Sequence, residues 1–369
     1  MSSKKYVLVI SGTRAEFGLF QSIIDALKKS AKLSPLLILT GMHTLRKFGN
    51  TQDEVIKKGH AVSNVIPVSK DADMLLRFRE ELEGFGKFCR KKKVDCVLVL
   101  GDRDEMLAGA IVGTHLGIPI GHIHGGEVTG ESVVDSKIRN AITQLTAFHF
   151  AATENSATRI SKMIGNRDNV FVVGAPGVDL FLKIPKVNRN NVAKRFNLNT
   201  NKQWFLVLMH PTPLSQLSPE GQIKPLVEAL SNVDGEIIWI YPNSDTGSDI
   251  FIQEITNFSK RKKIRLFKNL PREDFVNFLA TVDMLVGNSS SGIIESTYLR
   301  LPVVNIGDRQ KGRERSTNII DCDYNRQDIE NAIEKAFSDE FRKICKKAKH
   351  IYGNGGTGKK IVTILEKKL

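Results

Sequence analysis

Two apolar runs, Val97 to Leu100 and Ile118 to Ile120, flank a helical pattern, and each breaks into a polar loop. The first loop reads Gly101-Asp102-Arg103-Asp104-Glu105, the second His122-Ile123-His124-Gly125-Gly126-Glu127. Strand, helix, strand in this order is a parallel β-α-β unit, and no other feature constrains the fold as much. Parallel strands bring their carboxyl ends to one edge, where open α/β sheets bind ligands. The following helical stretch carries Asp135 and Arg139, four apart and therefore on one face, a spacing that also suits an ordinary surface pair.

The same alternation runs through the chain. Tyr6 to Ile10, Leu36 to Thr40, His149 to Thr153 and Val170 to Gly174 read as strands, and Asp71 to Lys93 as a long amphipathic helix. Ala175 to Lys202 loses the pattern and is read as a domain junction. A second alternation follows, with strands at Trp204 to Met209, Glu236 to Ile240, Ile264 to Phe267, Met284 to Val286 and Val303 to Ile306. At 369 residues the chain exceeds one ordinary core. The expected fold class is α/β: two Rossmann-like, doubly wound parallel-sheet domains over 1–180 and 181–345. A helical tail, 346–369, is expected to pack back on the first domain.

Composition narrows the function classes. With 41% hydrophobic and 25% charged residues the chain is ordinary globular protein. No apolar run nears the ~20 residues that span a bilayer, and the amino end leads directly into a strand without a signal-peptide pattern. Cys89, Cys96, Cys322 and Cys345 lack metal-ligand spacing, which favours a reduced, cytoplasmic setting. The net charge of +14 comes from dispersed basic pairs without aromatic interleaving. It therefore implies solvated surface and attraction for an anionic substrate, not nucleic acid or membrane.

Three loops carry chemistry. Ser11-Gly12-Thr13-Arg14-Ala15-Glu16-Phe17-Gly18 is a strand-to-helix turn whose free N–H groups would suit a phosphate, with Arg14 as its cation; it lacks dinucleotide spacing. Gly287-Asn288-Ser289-Ser290-Ser291-Gly292 ends a strand, with a helix expected from about Ser291. Amides and hydroxyls of Ser289 and Ser290 could cradle a diphosphate, and Glu295 could reach a ribose diol; plain helix capping is the alternative. His122 and His124 alternate on a strand, which argues against a shared metal; His122 is expected inward and His124 toward the cleft. Asp102, Asp104, Glu105, Glu127, Glu131 and Asp135 supply acids for proton transfer. Gly353 to Lys360 nearly spells a phosphate-binding P-loop, but Lys360 replaces the required hydroxyl residue and no strand precedes it.

Taken together, SGTRAEFG, GDRDEM, IPIGHIHGGE, DSKIR, HPT, NSDTGSD, GNSSSGIIE and VNIGDRQKGR occur in order from residue 11 to 313. In this the chain resembles the hydrolysing UDP-N-acetylglucosamine 2-epimerases of sialic- and legionaminic-acid biosynthesis. The resemblance implies a GT-B fold with the active site between two domains, assembled as a homodimer or homotetramer. It implies UDP contacts from Arg14, Arg103, His210, Asn243, Ser289, Ser290, Glu295 and Arg309, with backbone near Leu270 holding uracil. Asp102, Asp135 and Arg139 would line the sugar site, with no metal or redox cofactor. Asp102 and Asp135 are the expected acid/base pair, His124 and Glu127 their supports, and Arg139 the charge beside Asp135. His124 stands where animal bifunctional and non-hydrolysing relatives have glutamate, so their acid/base roles do not transfer. The expected reaction converts UDP-N-acetylglucosamine and water to N-acetylmannosamine and UDP through 2-acetamidoglucal. The alternatives are the same reaction on UDP-2,4-diacetamido-2,4,6-trideoxyglucose, a GT-B glycosyltransferase, and a non-catalytic nucleotide-sugar sensor.

Overall fold

Strands buried on both faces need side chains that are mostly apolar, and the runs above meet that demand. In the computed structural model Cys96–Leu100 is buried at every position, as are Ile120–Ile123 and Val303–Ile306. The structure describes residues 4–45, 51–57, 59–70, 72–128, 133–213, 215–242 and 246–369. Contacts divide the chain into two units: Met1–Glu127, Val133–Leu182 and Tyr352–Leu369 form one, Val128–Ser132 and Lys183–Ile351 the other.

The first unit holds a seven-stranded parallel sheet: β1 Lys5–Ser11, β2 Leu33–Leu39, β3 Asn64–Val65, β4 Cys96–Leu100, β5 Ile120–Ile123, β6 Phe148–Ala151 and β7 Val170–Val172. Their spatial order is β3-β2-β1-β4-β5-β6-β7. The second unit holds six: β8 Gln203–Leu208, β9 Gly235–Ile240, β10 Arg265–Phe267, β11 Met284–Gly287, β12 Val303–Ile306 and β13 Ile319–Cys322, ordered β10-β9-β8-β11-β12-β13. In both sheets the order reverses beside the first strand, between β1 and β4 and between β8 and β11. Such switch points open a crevice at the strand carboxyl ends. The expected fold class is therefore present, two Rossmann-like doubly wound units.

Two features differ from the sequence reading, and the rejected P-loop is indeed the lead into a last helix. The stretch read as a patternless junction contains two helices, Pro176–Lys183 and Arg189–Phe196; Asn188 starts the second by accepting from the Asn191 amide at 2.9 Å. Two strands went unread: β3, which is only two residues long, and β13. The near P-loop is the start of the helix Thr357–Lys368, whose amino end is already occupied. The Asp179 carboxylate accepts from the Thr357 amide at 3.0 Å and the Gly358 amide at 2.9 Å. An internal carboxylate thus sits where a P-loop would hold phosphate, and Ile361, Val362 and Leu365 of this helix join the first unit's core.

Candidate active site

The loops after β1 and β4 flank the first switch point. Thr13 and Glu16 form a capping box for the helix Arg14–Lys29. The Glu16 carboxylate accepts from the amides of Gly12 at 2.9 Å and Thr13 at 3.1 Å. Two of the amides expected to be free for phosphate, those of Gly12 and Thr13, are thus taken by the chain's own carboxylate. Arg14 is exposed at the helix start. Arg103 reaches Glu105 at 2.7 Å and Glu16 at 3.3 Å, so its guanidinium is tied back to two glutamates.

Beyond Gly101 the structure joins four residues in a chain of ion pairs and hydrogen bonds. Arg139, 3% exposed, pairs with Asp102 and stands 3.6 Å from Glu127. Glu127 in turn bonds Nδ1 of His124, and Arg139 also donates to the His124 carbonyl at 3.3 Å. The expected Asp135–Arg139 pairing is corrected: the ion pairs of this guanidinium run to Asp102 and Glu127. Asp135 is exposed on the helix Val133–Leu145, where its charge adds to the upward push of burial and Glu105 on Asp104. Residue spacing made the Asp135 pairing attractive, but Asp102 is 37 residues away in sequence and only the sheet brings it near.

The histidines differ from the alternation expected of them. β5 ends at Ile123, and His124 has φ +63°, in the left-handed region that non-glycine residues seldom occupy. His122 is fully buried, and its Nε2 donates to the Gly101 carbonyl at 2.8 Å. Burial pushes His122 down to about 4 and His149 likewise, so both are neutral near pH 7. His122 therefore braces the turn that presents Asp102. Glu131 lies outside the described residues.

In the second unit the loops after β8 and β11 flank the other switch point. Gly287 has φ +135°, and a Cβ there would lie 2.0 Å from the Leu208 carbonyl oxygen, so only glycine lets these strands part. Asn288, fully buried, clamps the histidine of HPT both ways: its Oδ1 accepts from the His210 amide and its Nδ2 donates to the His210 carbonyl, each at 2.8 Å. Gln310 donates to the Asn288 carbonyl at 2.9 Å and Arg309 at 3.4 Å. The Tyr324 hydroxyl lies 3.2 Å from that of Thr212. Burial, then the Arg309 charge, push His210 down to about 3, so it is a neutral ring able to hydrogen-bond an anion.

The helix expected from Ser291 is corrected to a three-residue 3-10 turn, Ser290–Gly292, and a short helix, Ser296–Leu299. Ser289 caps the turn by accepting from the Ser291 amide. The amides of Ser289 and Ser290 have no hydrogen bond among the described residues, and no long helix follows them. Glu295, 7% exposed, pairs with Arg272 at 2.8 Å. Leu270 is half-buried just before Pro271, which starts the helix Arg272–Thr281. Asn243 lies outside the described residues.

Asn288, Gln310, Tyr324 and Glu16 were not read as site residues. The capping-box spacing of Thr13 and Glu16 was a usable signal; for Gln310 and Tyr324, nothing local distinguishes them. Among the described residues no group of three or more His, Cys, Asp or Glu is arranged to hold a metal ion, and no helix is long and apolar enough to cross a membrane.

A family model described as UDP-N-acetylglucosamine 2-epimerase matches residues 25–366. The chain is 35% identical to the UDP-N,N'-diacetylbacillosamine 2-epimerase (hydrolyzing) of Legionella pneumophila, covering 98% of this chain and 95% of that one. It is 31% identical to the UDP-N-acetylglucosamine 2-epimerase of Neisseria meningitidis serogroup B, covering 90% and 88%. Among solved structures, the UDP-GlcNAc 2-epimerase from Neisseria meningitidis bound to UDP-GlcNAc superposes with a TM-score of 0.86 at 19% identity, covering 98% of this chain and 100% of that one.

Proposed function

Because this chain belongs to the UDP-N-acetylglucosamine 2-epimerase family, we propose that it performs the hydrolysing form of the reaction on a UDP-2-acetamido sugar. The carrying observation is the chain Asp102–Arg139–Glu127–His124 at the carboxyl edge of the first sheet, buried except for the half-buried Asp102. A weakly acidic C2 proton leaves only if departure of UDP from C1 is coupled to its removal. The C2–H electrons form the C1–C2 double bond as the C1–O bond breaks, giving a 2-acetamidoglycal and UDP. Water then adds its oxygen to C1, and a proton returns to C2 on the opposite face.

In this reading Glu127 orients His124 through Nδ1, leaving Nε2 to exchange the proton. Asp102 is the second acid/base group and Arg139 holds both carboxylates in place. Asp135, exposed in the structure, moves from the acid/base pair to a sugar-lining role. His210, Ser289, Ser290, Arg309, Arg14 and Arg103 are proposed for the diphosphate, Glu295 and Asn243 for the nucleoside sugar, and backbone at Leu270 for uracil. The Legionella relative supports UDP-2,4-diacetamido-2,4,6-trideoxyglucose as the substrate, ahead of the UDP-N-acetylglucosamine that the motifs suggested first. The Neisseria relative supports the latter as the second reading.

The test is product analysis of both sugar nucleotides in deuterium oxide. Free 2-epimerised sugar carrying deuterium at C2, with release of UDP, is expected for one of them. A product without carbon-bound deuterium, or transfer that requires an acceptor, would overturn the reading in favour of hydrolysis or glycosyl transfer. For the nucleotide half, Glu295→Ala should weaken UDP binding about tenfold or more, the value of a charge-assisted hydrogen bond to the ribose, without unfolding the protein. Unchanged UDP affinity by calorimetry would remove Glu295 from the site.

A further inference from the structure

Three glutamates meet under the loop that carries Asp102 and Arg103: Glu16 is 6% exposed, Glu81 3% and Glu105 4%. They come from three different helices, Arg14–Lys29, Met74–Lys91 and Asp104–His115. Glu105 packs so tightly over Gly12 that a Cβ there would lie 1.7 Å from its Oε1. Arg103 joins Glu105 to Glu16. Glu81 accepts from the Thr40 hydroxyl at 3.1 Å, which ties in the end of β2. One guanidinium thus pairs with two of the three buried carboxyls and its charge also acts on Glu81, with Asp104 nearby as a fourth acid. Nothing in the proposed reaction uses Glu81, and a lone acid on the apolar stripe of Phe78, Phe85 and Phe88 is costly to bury unless it does something.

We infer that Glu81 is a positioning residue for the proposed reaction, acting through Glu105 and Arg103 on the loop that presents Asp102. Arg103 supplies one positive charge to the Glu16 and Glu105 carboxylates together, so the cluster is complete only while it holds protons. Burial, then the Glu105 charge, pushes Glu81 up to about 8, with the Thr40 bond opposing; Glu16 is likewise pushed up to about 8 by burial and Glu105, against Arg103 and the two amides. His43, on the turn after Thr40, is engaged by Ser11 at 3.1 Å and Thr51 at 2.7 Å. When Glu81 loses its proton it repels Glu105, whose other partner is Arg103, and the Asp102 loop is drawn out of register.

The sign for stability follows from the same shift. The unfolded side chain titrates near 4.5 and the folded one near about 8. Stability from the bound proton is full below about 4.5, falls as pH rises between these values, and is lost above about 8.

The inference rests on the proposed reaction, and three variants test it on the full chain. Glu81→Gln keeps the Thr40 bond and mimics the protonated acid. It should match the wild type at pH 7 within about threefold. At pH 9.5 it should retain at least threefold more of its pH 7 kcat than the wild type retains. Its melting temperature should exceed the wild type's at pH 8, with the gap closing toward pH 5. Glu81→Ala should lower kcat about tenfold with little change in KM, and Glu81→Gln restores what the alanine loses. Glu105→Gln, which removes the charge that Glu81 repels, should flatten the basic limb in the same direction. Superimposable basic limbs for wild type and Glu81→Gln overturn the role, even if the alanine variant fails to fold. A wild type that turns over neither sugar nucleotide overturns the proposed reaction instead, and is seen before any variant is compared.

Discussion

Asp102→Asn is expected to lower kcat by roughly 10²- to 10⁴-fold while UDP affinity stays close to that of the wild type. Asparagine keeps the size of the side chain and can still hydrogen-bond Arg139, so packing under β4 changes little. What it removes is an oxygen able to take up or return a proton at the sugar. UDP is proposed to be held mainly by groups of the second unit, such as Asn288-clamped His210 and the serine loop. Turnover and UDP binding should therefore respond separately. Single-turnover kinetics beside UDP titration would check this. A variant with wild-type kcat would remove Asp102 from the chemistry, whereas a parallel loss of UDP affinity would show that the substitution disturbs the fold of the rim. His124→Gln should fall in the same range, and a difference between them in the accumulation of 2-acetamidoglycal would assign elimination to one and hydration to the other.

Arg139→Ala should be the most damaging change to stability, costing about 3–5 kcal/mol, the usual penalty for breaking a buried ion pair from one side. The guanidinium side chain is 4% exposed and faces two carboxylates, of which Glu127 is 7% exposed. Its removal leaves both without their cation and frees the His124 carbonyl. Thermal or denaturant unfolding at pH 7 checks the size; a loss under about 1 kcal/mol would mean that the pair is effectively solvated. Arg139→Lys is not a rescue, because one ammonium cannot span Asp102, Glu127 and a carbonyl as the planar fork does.

The fold was legible because parallel strands covered on both faces read as unbroken apolar runs, as in Cys96–Leu100. Runs too short for that signal, such as β3, were not. The positions of the chemical loops followed from the strand ends, since strand order alone places the β1, β4, β8 and β11 loops at two crevices. Pairings within the loops did not follow. Spacing along a helix offered Arg139 a partner at Asp135, while the real one comes from a neighbouring strand end. Alternation assumed that β5 continued through His124, although the backbone has already turned into the left-handed region there. Glu81 illustrates the reverse case: its misfit on an apolar helix face was visible in the sequence, but what it faces depends on elements 41 residues behind it, at Thr40.

The closure of the helix Thr357–Lys368 onto Asp179 has a consequence for how the protein is made. A ribosome delivers β1 to β7 first, yet their core lacks Ile361, Val362 and Leu365 and the amino end of that helix until residues 352–369 emerge. The second unit has all six of its strands by Cys322 and its last contributing segment by Ile351. Synthesis therefore completes the later unit before the earlier one, against the usual amino-terminal-first order of domain folding. Until then the first sheet waits with an uncovered apolar surface on the helix Arg14–Lys29, and a nascent chain stalled near residue 351 should be the species that chaperones hold and proteases clear.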